Sequence, residues 1–240
     1  MEHTFSIGNG HTVVFSQGNL QYNRSNNEFR FALRQYEMLG AVNENLDDQT
    51  YDGWMDLFRF DDCKDLSIDG YRLLTIDEWR YILFHRDNAV NLFGFASIQV
   101  DEDARINGFI VLPDGSEPEG FKHSYPNVSE GDVPIFVSHA TYDKGFDDNI
   151  YTLEEYEALE QQGAVFLPAG GVVKVNAEKS QRPDGVYVAS VNKYASYWTS
   201  SEYMNDNLAY WVTADYKNEL LTHAYDKSKG LGVRLAKSVL

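Results

Sequence analysis

Apolar and polar positions alternate over the first thirty-odd residues and in strand-like pieces from Tyr194 onward, and a helical period marks two stretches between them. Thr4-Phe5-Ser6-Ile7 and Thr12-Val13-Val14-Phe15 flank Gly8-Asn9-Gly10, which predicts a β-hairpin because these turn residues accept left-handed backbone conformations. Gln17-Gly18-Asn19-Leu20-Gln21-Tyr22 and Glu28-Phe29-Arg30-Phe31 continue the pattern as an antiparallel meander, separated by the polar run from Asn23 to Asn27. From Gly40 to Gly70 the chain is acidic and loop-rich, with aromatic anchors at Tyr51, Trp54, Phe58 and Phe60.

Two segments predict helices. Thr75-Ile76-Asp77-Glu78 is a capping box, in which the threonine hydroxyl accepts the N3 amide and the glutamate returns to the N-cap amide. Ile76, Trp79, Ile82 and Leu83 then fall on one stripe. Thr152-Leu153-Glu154-Glu155 repeats the device, with Leu153, Tyr156 and Leu159 on one face and Gly163 placed to stop the helix. The segment from Asn107 to Pro113 echoes that from Gln162 to Pro168, each a buried-looking strand closed by proline. Residues 114–150 read as a polar loop system.

Aromatic strands and polar turns alternate from Tyr194 to the end. Tyr197-Trp198-Thr199-Ser200-Ser201, Ala209-Tyr210-Trp211-Val212 and Gly230-Leu231-Gly232-Val233-Arg234-Leu235 are the strand pieces. The period of two places Tyr210, Val212 and Ala214 on one side and Trp211, Thr213 and Asp215 on the other. With the first set buried, Trp211 is an exposed anchor; in the opposite register, Tyr210 takes that role. Trp79, Trp198 and Trp54 read as core. Tyr203 with Asn205, Asp206 and Asn207 joins a rigid ring to adaptable amides, and the mix recurs at Tyr216-Lys217-Asn218 and at His223-Ala224-Tyr225-Asp226. Recognition surfaces use that combination, and so do ordinary turns between strands.

Composition narrows the function. The 240 residues are 43% hydrophobic and 14% aromatic, enough for one folded domain, and the 16 Tyr and 14 Phe favour β structure. A net charge of −17 disfavours nucleic acid and anionic lipid as partners. No run approaches the ~18 apolar residues of a membrane span, and no signal peptide is read at Met1. The single cysteine, Cys63, excludes an intrachain disulfide and a cysteine-rich metal site.

Gly70-Tyr71-Arg72-Leu73-Leu74-Thr75-Ile76-Asp77-Glu78-Trp79 resembles the helix entry of the formylglycine-generating-enzyme family, which has a variant of the C-type lectin fold. Tyr197-Trp198-Thr199-Ser200-Ser201 and Gly232-Val233-Arg234-Leu235 are similar to two later motifs of that family, in the same order. The segment from Val14 to Tyr22, with Tyr51-Asp52-Gly53-Trp54, resembles lectin-fold surface proteins of Bacteroides-type gut bacteria. Related domains are targets of diversity-generating retroelements, which rewrite a C-terminal variable region. The resemblance implies a single α+β domain over 1–240, with two helices on small antiparallel sheets. Residues 1–69 would form an N-terminal meander with loops, and 70–240 the lectin-fold core.

The family's chemistry does not carry over. Its oxidases use a late cysteine pair, whereas Cys63 precedes the first predicted helix, and the six histidines are scattered without ligand spacing. The lectin motifs for calcium and sugar are also broken, at Gln181-Arg182-Pro183-Asp184 and at Asn205-Asp206. No cofactor is expected; calcium at Asp143, Asp147, Asp148 and Asn149 is weighed against a solvated acidic loop. The expectation is non-enzymatic recognition of a protein or glycan ligand on another cell or particle. Its contact surface would be Tyr203, Asn205, Asp206, Asn207, Trp211, Thr213 and Tyr225. A cell-surface, secreted or phage-particle setting and a homo-oligomer fit that reading. The alternatives are a formylglycine-generating or sulfoxide-forming metalloenzyme and a structural subunit of a pilus or tail fibre.

Overall fold

The computed structural model describes residues 3–39, 54–124, 127–130, 145–176, 178–179, 186–204, 206–216 and 219–239. Strands take 43% and helices only 15% of the described residues, so the protein fits an all-β architecture rather than the expected two-helix α+β domain. Both capping boxes form, at Thr75 and Thr152, but each starts a short helix. The helical period lasts only two or three turns, and the β-branched and aromatic residues elsewhere pair into sheets.

In chain order, β1 (Phe5–Ser6) and β2 (Thr12–Phe15) make the expected hairpin, and β3 (Leu20–Asn23) pairs with β4 (Glu28–Phe31). Next come β5 (Trp54–Met55), β6 (Leu57–Phe58), α1 (Phe60–Cys63), β7 (Ser67–Ile68) and β8 (Tyr71–Arg72). α2 (Ile76–Arg80) runs into a π-helical turn at Tyr81–His85. β9 (Phe93–Gln99), β10 (Arg105–Val111), β11 (Asn127–Glu130) and β12 (Ile150–Thr152) precede α3 (Leu153–Gln161). The chain ends with β13 (Val165–Pro168), β14 (Val172–Val175), β15 (Val186–Ala189), β16 (Tyr194–Glu202), β17 (Leu208–Asp215), β18 (Glu219–Asp226), β19 (Leu231–Gly232) and β20 (Ala236–Val239).

These strands form a six-stranded sheet, β11-β18-β17-β16-β19-β6, a five-stranded sheet, β1-β2-β20-β8-β7, and a four-stranded sheet, β12-β9-β10-β13, with two smaller ones. Pairing is mixed rather than purely antiparallel: β11 runs parallel to β18, β16 to β19 and β12 to β9. The two echoed segments are partners, since Gly108 faces Pro168 and Val111 faces Val165 across β10 and β13.

The six-stranded sheet is covered on both faces. One side packs with α2 and the four-stranded sheet through Trp79, Phe109, Tyr197 and Val212. The other packs on Phe60, Trp198, Leu231 and Val233. A third cluster, with Tyr156 and Phe166, fills the space beneath α3. Trp79 and Trp198 are core as expected. Trp54 is not, being half-buried beneath the Arg30 guanidinium at 3.9 Å.

The three C-terminal and helix-entry motifs converge. Ser200 N–H donates to Leu74 O at 2.9 Å, Ile76 N–H donates to Ser201 Oγ at 3.0 Å, and Tyr197 pairs with Gly232. A Cβ on Gly232 would stand 2.9 Å from the Tyr197 ring, which is why that position is glycine. This convergence fixes the strands whose turns form the site below.

Candidate functional site

Two successive C-terminal turns meet the N-terminus of α1 at one end of the six-stranded sheet. The β16–β17 turn is closed by Tyr203 N–H donating to Leu208 O at 3.2 Å. Lys227 N–H donates to Asn207 O at 3.0 Å, tying the turn after β18 to it. Phe60 N–H donates to Lys227 O at 3.3 Å, which brings α1 alongside. The three segments enclose a cleft of about 350 Å3, lined from the turns by Asp206, Asn207, Asp226, Lys227 and Ser228. Arg59, Asp61 and Asp62 complete the lining from the α1 side.

The four carboxylates outnumber the two cations, and part of the charge is already committed. Lys227 Nζ lies 3.5 Å from Glu202 and 5.1 Å above the Phe60 ring. Asp226 accepts the Ser228 amide at 2.8 Å and sits 3.4 Å from Lys229 Nζ. Hydrogen bonds from Ser228 and the Lys229 charge hold the Asp226 carboxyl below its ordinary range, so it stays ionised at neutral pH. An ionised, hydrogen-bonded carboxylate of this kind is an acceptor for ligand donors, not a proton donor.

The strand face next to this cleft carries a second feature. Trp211 and Tyr225 stack at 4.4 Å with planes 15° apart. The sheet register places His223 and Thr213 on the same side. Tyr194 and Tyr216 make an edge contact at 5.9 Å. Burial, then the neighbouring Asp226, Tyr194 and Tyr187, raise the Tyr225 phenol, which remains protonated.

The expected contact surface is therefore divided. Asp206 and Asn207 are exposed and line the cleft together. Trp211 and Tyr225 form the stack, but Trp211 is half-buried rather than an exposed anchor, because this face packs on the second core cluster. Thr213 is a correction: it is 1% exposed and shares a 3.0 Å hydrogen bond with Ser196, so it cannot touch a ligand. Tyr203 lies on the opposite face, its ring 5.2 Å from that of Tyr210. Asn205 lies outside the described residues.

Arg59, Asp61, Asp62, Lys227 and Ser228 were not among the expected site residues. The alternation around Phe58 and Phe60 contained no signal that this segment docks on a turn nearly 170 residues later in the chain. Asp226 stood next to a residue already singled out, so only its neighbours were hidden.

No family model, curated protein or solved structure matches this chain. Cys63 is buried, and burial together with Asp62 and Asp61 raises its thiol far above the thiolate range. It is a packing residue between Arg59 O and Phe60 O, not a nucleophile. Of the considered calcium ligands, Asn149 turns inward and donates to Phe95 O and Ser124 Oγ, both at 3.0 Å. Asp143 lies outside the described residues, and Asp147 and Asp148 are described only as part of a 3-10 turn. Among the described residues, no group of three His, Cys, Asp or Glu side chains is placed to hold a metal ion.

Proposed function

We propose that this protein is a non-enzymatic recognition protein whose ligand docks at the cleft between the β16–β17 turn, the turn after β18 and α1. The observation that carries this reading is the shared lining: residues from two consecutive C-terminal turns and from α1 face one concavity. The sheet beneath is packed on both faces, so the turns stand on a rigid base, and pre-organised contacts cost little ordering on binding. Carboxylates, an amide, a hydroxyl and two cations supply both acceptors and donors, suited to a polar ligand. Sequence changes in the turns can alter the lining without touching the core beneath them. A ligand displayed on another cell or particle suits a surface of this kind.

The test is binding of the purified protein to arrays of glycans and of surface proteins, followed by Asp206→Ala/Asn207→Ala. Both residues are exposed, so the double variant should fold as the parent does. Loss of the strongest array signal, with an unchanged unfolding midpoint, is the expected result. Retention of all binding by the double variant would remove the cleft from the reading.

A further inference from the structure

We infer that a second cavity, beside the turn-end cleft and built from the N-terminal meander, is a subsite for one neutral sugar ring. The cavity measures about 340 Å3 and lies between the β3–β4 hairpin, β5–β6 and α1. Tyr22 and Phe29 line it from the hairpin, with Phe58 buried at its base. Arg24, Asn27 and Asp62 stand around it as polar groups. Asp62 lines the turn-end cleft as well, so the two concavities adjoin across one carboxylate.

The chemistry of this wall selects the ligand. Tyr22 and Phe29 pack at 4.8 Å, and Phe29 keeps 38% of its surface in solvent, so its ring is open to contact. Tyr22 donates its hydroxyl to Asn27 Oδ1 at 2.9 Å, which leaves the Asn27 amide nitrogen as a donor. Arg24 and Asp62 are exposed, and their side chains make no hydrogen bond or ion pair among the described residues. One guanidinium and one carboxylate balance to zero, so the pocket does not select an ion. It offers two kinds of donor, one carboxylate acceptor and an aromatic wall. A pyranose matches this set: the C–H groups of one face carry slight positive charge and lie against an electron-rich ring, while adjacent hydroxyls both donate and accept. The volume is at the small end of the roughly 300–1,000 Å3 of ligand pockets, which suits a ring or two and not a helix.

This inference uses N-terminal residues and stands apart from the reading of the C-terminal turns, although a longer chain of sugars would span both. The experiment is saturation-transfer NMR on the whole protein with the methyl glycosides of glucose, galactose and N-acetylglucosamine. Transfer to the C–H protons of one ring face is expected for at least one of them, with affinity unchanged between low and high salt because the ligand is neutral. Phe29→Ala should weaken that binding about tenfold, and Phe29→Leu, which keeps bulk but removes the ring, by nearly as much. Arg24→Ala should weaken it severalfold, whereas Val90→Ala, at an exposed position that lines neither cavity, should leave it within about twofold. Absence of transfer to all three glycosides overturns the inference, as does unchanged binding in Phe29→Leu. Stronger transfer to N-acetyl-phenylalaninamide than to any glycoside also overturns it, by making the cavity a pocket for an aromatic side chain. Loss of glycoside binding in Asp206→Ala alone would place the sugar in the turn-end cleft instead.

Discussion

Arg72 holds Glu78 with both terminal guanidinium nitrogens, at 2.6 and 2.8 Å, while the same carboxylate accepts the Thr75 amide at 2.7 Å. The salt bridge thus pins β8 to the first turn of α2 and closes the capping box in one contact. Burial alone would raise the Glu78 carboxyl, but bonds from Arg72 and Thr75 outweigh it and hold the group below its ordinary 4.5. A depressed folded value means the unfolded chain takes up this proton first as pH falls. The stabilisation is therefore complete above the ordinary glutamate range and is lost as pH drops through the folded value. Glu78→Gln should cost about 1–2 kcal/mol at pH 7, discounted for the partial exposure of Arg72. Urea midpoints measured from pH 7 to pH 3 should show the gap between parent and variant closing only below 4.5.

Arg234 is 1% exposed, and every hydrogen bond it makes goes to a neutral oxygen. Its guanidinium reaches Asn19 Oδ1 at 3.0 Å and Phe166 O at 2.8 Å, with longer bonds to Ser16 O and Gln35 Oε1. One side chain near the C-terminus thereby joins the N-terminal meander to β13. Arg234→Met fills similar volume but removes the donor from all four oxygens, of which Gln35 Oε1 keeps the Phe166 amide, and should destabilise by about 3–5 kcal/mol in urea unfolding. Arg234→Lys should recover only part of that, because one ammonium cannot span the fork.

What the chain disclosed locally was reliable, and what it withheld was non-local. Thr75 and Thr152 announce their capping boxes within four residues, and the Gly8-Asn9-Gly10 turn announces its hairpin within ten. The fold class failed because helix starts say nothing about helix lengths, and α2 yields to a π turn after Arg80. Thr213 was misassigned because alternation identifies two faces without saying that both are covered. Gln35 exposes the same limit: it accepts from Phe166 N–H and donates to Ala164 O across nearly 130 residues, imitating a strand partner for β13. The site divided for that reason too, since Asp206 and Asn207 were visible in their turn while Arg59 and Asp62 reach it only through the fold.

Gly108 faces Pro168 across the β10–β13 pair. A Cβ there would stand 2.3 Å from Leu167 O and 2.6 Å from the Phe166 ring, contacts that require backbone to move. Gly108→Ala should cost about 1–3 kcal/mol or more through this overpacking. Gly10 is the control: its φ is +76° but nothing lies within 4 Å of its Cβ position. Gly10→Ala should cost only about 1 kcal/mol, from the left-handed backbone alone. Equal losses in the two variants, read from urea midpoints, would show that β10 and β13 are not packed this closely.

Trp211 stacks on Tyr225 at 4.4 Å, whereas Tyr203 packs on Tyr210, whose side chain points to the other face of β17. A double-mutant cycle of Trp211→Ala with Tyr225→Ala, read by urea unfolding, should give an interaction of about 0.5–1.5 kcal/mol. The cycle of Trp211→Ala with Tyr203→Ala should be additive within about 0.5 kcal/mol. The same separation governs ligand binding: a compact ligand can touch one of these faces, so alanine at Trp211 and alanine at Tyr203 should not both weaken its affinity. An interaction between Trp211 and Tyr203 as large as that between Trp211 and Tyr225 would mean that the two faces communicate through the sheet, and that the site is one continuous surface after all.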